Sequence, residues 1–233
     1  MSIIISAITP ASRGVSTLAA LTNDFKNQTF PHDSFEHIIV YDGIPPADVV
    51  AFMAKNANPW TRFVHIEKDR GNMKDAPGTR PRNHGVSIAR GEYVCFCDDD
   101  DRYKDTYLES LMSHTGGNSI SIVQMSCQHS RMYKDGDPNY ITLIPEVGQH
   151  FFPLICHVGT PCFVVKREWA LECPWQHEKE HDFRFIKRIV EKYRPEVSII
   201  GGMQVDVDGL VLSSMGKMPG MKDWVSIPPF YRG

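Results

Sequence analysis

Apolar runs and helix-spaced apolar positions alternate through the first hundred residues. Ser2-Ile3-Ile4-Ile5-Ser6-Ala7 predicts a buried strand, and Thr9-Pro10-Ala11-Ser12-Arg13-Gly14 the loop that ends it. Val15, Leu18, Leu21 and Phe25 recur at helical spacing, and His37-Ile38-Ile39-Val40-Tyr41 predicts a second strand closed by Asp42-Gly43. A helix over 46–55, a third strand over 63–66, a polar loop over 67–81, a short helix over 82–90 and a strand from Tyr93 to Cys97 follow. Strand, helix and strand in alternation imply right-handed crossovers and a parallel sheet.

The second half is less regular. A helix is expected over 103–112, a strand over 119–127, a turn over 134–139 and a hairpin partner over 141–144. Phe163-Val164-Val165 predicts another buried strand. Phe185, Ile186, Ile189, Val190 and Tyr193 share one face of a helix that opens at His181-Asp182. Val197-Ser198-Ile199-Ile200 predicts a strand, Gly201-Gly202 a bend, and 204–208 a further extended segment. The tail over 210–233 shows no periodicity, although Ser213 to Gly220, with Lys217, has the composition of a mobile lid. The expected fold is α/β: one domain over 1–233 with a mostly parallel central sheet and helices on both faces, residues 1–103 forming one half and 104–233 the other.

Composition narrows this picture only slightly. The 233 residues are 42% hydrophobic with a net charge of −3 and a pI near 6.4, which gives no global electrostatic reason to expect a nucleic acid or an anionic membrane as partner. The amino-terminal run lacks a basic leader, and no stretch approaches the roughly 20 apolar residues of a membrane span, so a cytoplasmic protein is expected. The six cysteines include no C-x-x-C pair and are read as buried thiols. The nearest zinc-like grouping, His150, Cys156, His157 and Cys162, has no zinc-site spacing.

Chemistry concentrates where the Tyr93 strand stops. Asp98-Asp99-Asp100-Asp101 follows it without a spacer, and two carboxylates about 4 Å apart repel by roughly 4 kcal/mol at an effective dielectric near 20. A divalent cation would reverse that sign, and hard oxygen ligands at the carboxyl end of a strand suit Mg²⁺ or Mn²⁺. Upstream stand Thr9-Pro10, Val40-Tyr41-Asp42-Gly43, Arg82-Asn83-x-Gly85 and Ala89-x-Gly91-Glu92-Tyr93. In this order, and with Asp98-x-Asp100-Asp101 closing the strand, the chain resembles a family 2 glycosyltransferase of the A-type, Rossmann-like fold.

The resemblance implies an inverting, metal-dependent transfer of a sugar from a nucleoside diphosphate, a UDP-sugar in the first instance, to an acceptor hydroxyl. By it, residues 1–103 would be the nucleotide-sugar half and 104–233 the acceptor half. Asp100 would ligate Mn²⁺ or Mg²⁺, Asp98 would contact the metal's surroundings or the ribose, and Asp99 and Asp101 would support them. Thr9, Pro10, Asp42, Arg82 and Thr160 would line the donor site, Asp42 reading the base although Tyr41 replaces the family's frequent second acid. The base would be Asp182, with His181 in place of the usual Glu and Glu180 as the competing carboxylate; the late metal-ligating histidine of many A-type enzymes has no counterpart after His181. A glycan or glycoconjugate is the expected acceptor, with lipid-linked, protein and nucleic-acid acceptors open. A sugar nucleotidyltransferase and a non-catalytic nucleotide-sugar or glycan-binding module are the competing classes.

Overall fold

In the computed structural model, which describes residues 2–68, 78–128, 141–145 and 158–207, β1 (Ile5–Ala11) is buried at every position but Pro10, as a strand covered on both faces must be. It lies at the middle of a five-stranded sheet ordered β3-β2-β1-β4-β8, where β2 is Phe35–Asp42, β3 Thr61–Ile66, β4 Tyr93–Phe96 and β8 Val164–Lys166. The first four strands run parallel and β8 is antiparallel to β4, so the expectation of a mostly parallel sheet holds. A second sheet, ordered β5-β9-β6-β7, contains Arg102–Tyr103, Glu196–Asp206, Ser119–Gln128 and Ile141–Ile144. A bridge between Ile122 and Phe163 links the two.

Six α-helices and a 3-10 turn (Thr160–Cys162) complete the described chain: α1 (Val15–Lys26), α2 (Ala47–Lys55), α3 (Thr79–Ile88), α4 (Tyr107–Met112), α5 (Arg167–Glu172) and α6 (His181–Tyr193). None of the described helices is long and apolar enough to cross a membrane.

Three departures from the expected elements stand out. β1 runs on to Ala11 rather than yielding to a loop at Thr9, because its pairing with β2 continues through Ala11 and Tyr41. Beyond Ile8 it has outrun β4, so one side lacks a partner strand and Pro10 is tolerated. The expected helix over 103–112 is divided, since Arg102 and Tyr103 pair with Asp206 and Val205 before α4 begins. The two extended segments around Gly201-Gly202 form one strand, β9, whose pairing with β6 shifts register near Gly202, a glycine at φ 90°. The turn over 134–139, the lid over 213–220, His150, Cys156 and His157 lie outside the described residues; the remaining five cysteines are free and buried.

The motif glycines are explained by close approach. A Cβ on Gly85 would sit 2.3 Å from Ile8 Cγ2, so its absence lets α3 lie directly on β1. At Gly91 a Cβ would meet the Ser6 backbone nitrogen at 2.7 Å. Beside it, buried Glu36 accepts from Ser6 Oγ, the Arg90 N–H and the Arg62 and Arg90 guanidinium groups. Burial alone would raise the Glu36 pKa, but these bonds outweigh it and the net shift is downward. Gly85→Ala should therefore cost about 1–3 kcal/mol of stability in urea unfolding, the usual penalty for overpacking a core contact, whereas Gly116→Ala, where nothing lies within 4 Å of an added Cβ, should cost less.

Candidate active site

The carboxyl ends of β1, β2 and β4 open onto a cleft of about 500 Å³. Its walls are Pro10 to Arg13 from the end of β1, Asp42 and Lys68, Gly78, Pro81 and Arg82 at the start of α3, Asp98 to Asp100, Thr160, and His181 and Asp182 at the start of α6. A second cavity of about 230 Å³ is lined by Asp101, Met125, Gly159, Pro161 and Val207. The two share Asp98, Asp100, Thr160 and Asp182.

The four carboxylates are separated by their partners. Asp98 takes the Arg82 guanidinium at 2.6 Å. Asp99 is buried and accepts the backbone N–H groups of Ser12 (3.2 Å) and Arg13 (3.3 Å). Burial raises its pKa, against the opposing pull of those N–H groups and of Arg13. Asp100 pairs with Arg13 Nη2 at 2.5 Å, and Asp101 is buried. Arg82 is itself only 4% exposed and lies 4.8 Å over the Trp175 ring, where a desolvated cation–π contact is at its strongest.

Each residue of Arg82-Asn83-x-Gly85 thus has a separate task. Arg82 holds Asp98. Asn83 exchanges two hydrogen bonds of 2.9 Å with the Trp175 backbone, and Gly85 admits β1. Trp175 stacks on Phe185 of α6 at 4.2 Å, so α3 and α6 share one aromatic layer and the start of α6 is fixed against the cleft.

Glu180 precedes α6 in the left-handed region (φ 54°, ψ 38°), a conformation that costs a non-glycine residue energy and recurs at functional sites. Asp182 then lies in the first turn, accepting the Phe183 N–H at 2.7 Å. Burial pushes its carboxyl pKa up against that bond and against His181. His181 is shifted the other way, first by burial and then by the nearby Arg82, which favours the neutral ring. A carboxylate in that position is a stronger base than a solvated one.

Most of the residues expected from sequence converge here. Pro10, Asp42, Arg82, Asp98, Asp99, Asp100, Thr160 and Asp182 all line the cleft. One oxygen of Asp42 is buried without a partner. Thr9 is not a cleft residue: β1 continues past it, its side chain is fully buried, and its hydroxyl meets His37 Nε2 at 2.9 Å. Glu180 does not line the cleft and pairs with Arg184 at 3.7 Å. Arg13, Lys68 and His181 line it without having been assigned a role from sequence. His181 was noted only as standing in place of the usual Glu, and Arg13 could not be assigned by spacing because its carboxylate partner stands 87 positions later.

Comparison with known proteins agrees with this geometry. The protein family described as Glycosyl transferase family 2 matches residues 6–172. Poly(ribitol-phosphate) beta-N-acetylglucosaminyltransferase TarP of Staphylococcus aureus (strain N315) is 27% identical over 119 residues, 51% of this chain and 35% of that protein. The crystal structure of S. aureus TarS 1–349 in complex with UDP-GlcNAc has a TM-score of 0.58 at 16% identity, covering 88% of this chain and 58% of that one. Mannosyltransferase PcManGT from Pyrobaculum calidifontis, in complex with GDP-Man and Mn²⁺, has a TM-score of 0.63 at 12% identity, covering 88% and 57%. The chain therefore spans about a third of the curated relative's length and less than two thirds of these solved structures. The structural likenesses establish a glycosyltransferase A-type fold. With the family's pattern running from β1 through α5, over most of its length, the chain belongs to glycosyl transferase family 2.

Proposed function

We propose that this chain transfers a sugar, with inversion, from a nucleoside diphosphate donor, best a UDP-sugar, to the hydroxyl of a glycan or glycoconjugate. The observation that carries this is the seam between the two cavities, where Asp98, Asp100, Thr160 and Asp182 face both. A donor in the larger cavity and an acceptor in the smaller would meet there, which supports the division into a donor half through Tyr103 and an acceptor half beyond it.

In the larger cavity the unpartnered Asp42 oxygen is an acceptor for an imide N–H, the group uracil presents. TarS was solved with UDP-GlcNAc and PcManGT with GDP-Man, so both nucleotide classes occur among similar folds; the TarS complex supports the uridine donor, and the relation to TarP supports an anionic polyol or glycan acceptor.

Asp100 and Asp98 supply hard oxygens suited to Mn²⁺ or Mg²⁺, with Asp100 the better placed because its partner Arg13 is exposed and displaceable, whereas the Arg82 on Asp98 is buried. No group of three or more His, Cys, Asp or Glu able to hold a metal occurs among the described residues. A cation held by Asp100 and Asp98 would complete its coordination with diphosphate oxygens and water. Such an ion, when bound, supplies Lewis-acid stabilisation of the leaving diphosphate. Asp182 takes the acceptor hydroxyl's proton as the oxygen attacks the anomeric carbon. Arg82, pinned between Asp98 and Trp175, presents fixed positive charge to the donor.

Release of free UDP, rather than pyrophosphate, from a UDP-sugar with Mn²⁺ is the expected activity; pyrophosphate release would instead indicate a nucleotidyltransferase. Asp100→Asn should abolish Mn²⁺-dependent UDP binding in calorimetry, and retention of that binding would remove Asp100 from the metal site.

Asp182→Asn should keep UDP binding and lower kcat by about 10²–10⁴-fold, the usual contribution of a general base. The deprotonated carboxylate is the active form and its pKa is raised, so kcat/KM should fall with decreasing pH through a pKa above the usual aspartate range. A Glu180→Gln variant should keep this acid limb; loss of activity there with Asp182→Asn fully active would move the base to Glu180.

A further inference from the structure

Two arginines balance the charge of Asp98 to Asp100, and they are held very differently. Arg82 is 4% exposed and enclosed: its guanidinium lies over Trp175, and a Cβ on Gly78 would come within 2.8 Å of its Nη1. Arg13 has a fixed backbone and a loose side chain. Its N–H donates to Asp99, and its carbonyl accepts from the Tyr41 hydroxyl at 3.3 Å. The side chain, in contrast, is 52% exposed and reaches Asp100 at 2.5 Å and Asp99 at 3.6 Å.

We propose that Arg13 is the exchangeable counter-ion of the acidic cluster: it neutralises Asp100 until a divalent cation takes that carboxylate, and then pairs with the donor's diphosphate. This rests on the metal-dependent transfer proposed above. Three observations carry it. Asp100 is the carboxylate assigned above to the cation, and the Arg13 guanidinium holds that same carboxylate at 2.5 Å. Two cations on one carboxylate repel, so occupancy by the metal and by Arg13 is competitive. Finally, Arg13 and the remaining wall of the larger cavity face one space, so a released guanidinium stays within the donor cleft rather than in bulk solvent. The exposed pair is easily exchanged, since ion pairs of this kind contribute little net stability, while a guanidinium on a diphosphate gains charge-assisted, fork-like hydrogen bonds.

Competition predicts opposite signs for two affinities. Mn²⁺ binding alone, followed by electron paramagnetic resonance of the free ion, should tighten about two- to fivefold in Arg13→Gln. UDP binding in the presence of Mn²⁺, followed by calorimetry, should weaken about tenfold in the same variant. Arg13→Lys, which keeps the charge but not the fork, should reverse part of each shift and serves as the second variant. If the wild-type chain binds no Mn²⁺ even with UDP, the metal-dependent reading fails and this proposal falls with it. If the wild type binds Mn²⁺ with UDP but Arg13→Gln leaves the affinity for Mn²⁺ alone unchanged or weaker, the exchange is overturned and the metal site stands.

Discussion

Like charge at the end of β4 is the constraint to which the neighbouring elements answer. Four consecutive carboxylates cannot share one strand end without compensation, because each close pair costs roughly 4 kcal/mol at an effective dielectric near 20. The fold supplies a different partner to each of the first three. Asp98 receives a guanidinium from α3, Asp99 two N–H groups from the loop after β1, and Asp100 the Arg13 side chain. Just beyond, Arg102 turns back to grip Asp24 of α1 through Nε (2.8 Å) and Nη2 (2.6 Å), while the Tyr103 N–H donates to the same carboxylate. The acidic turn is therefore tied to α1, α3 and the β1 loop, which sets the cleft's walls around it.

The opposite wall depends on apolar packing. Phe96, Phe163, Trp175 and Phe185 form one aromatic layer that joins β4, the residue preceding β8, the segment before α6 and α6 itself. Asn83 fastens the Trp175 backbone to α3, and Arg82 spans from that ring to Asp98. Because Asp182 opens α6, its distance from the acidic turn is set by this layer rather than by any direct bond between the two carboxylate groups. A core residue such as Phe185 therefore bears on the site geometry without touching the cleft.

Features that depend on local sequence were legible. The strands through Tyr93, the acidic strand end, Asp42 after β2 and Asp182 at the head of α6 are marked by runs, turns and spacing that lie within a few residues of one another. Features set by distant partners were not. Nothing near Thr9-Pro10 reveals that β1 continues through Ala11, since the partner that extends it, Tyr41, comes 30 positions later. β5 is two residues long and exists only because β9 returns beside it. The roles of Asp98 and Asp100 as paired carboxylates were readable, but the guanidinium on each was not, since Arg82 reaches Asp98 from α3 while held over Trp175, a geometry that sequence spacing does not encode, and Arg13 by a loop.

The chemistry of Asp182 follows from an opposition between its two surroundings. The first turn of a helix favours a negative side chain, by its free N–H groups and by the helix dipole, and the Phe183 N–H does donate to Asp182. A residue that only began a helix would have its pKa lowered by that contact. Here burial outweighs it and the net shift is upward. The Phe183 contact then fixes the direction of the carboxylate while the burial sets its basicity, so one first-turn position is both oriented by the backbone and fitted as proton acceptor. Glu180 lacks that combination: it is 40% exposed at its side chain, paired with Arg184 and outside the cleft lining. What separates the two acids is thus the depth of the cleft and not their order along the chain.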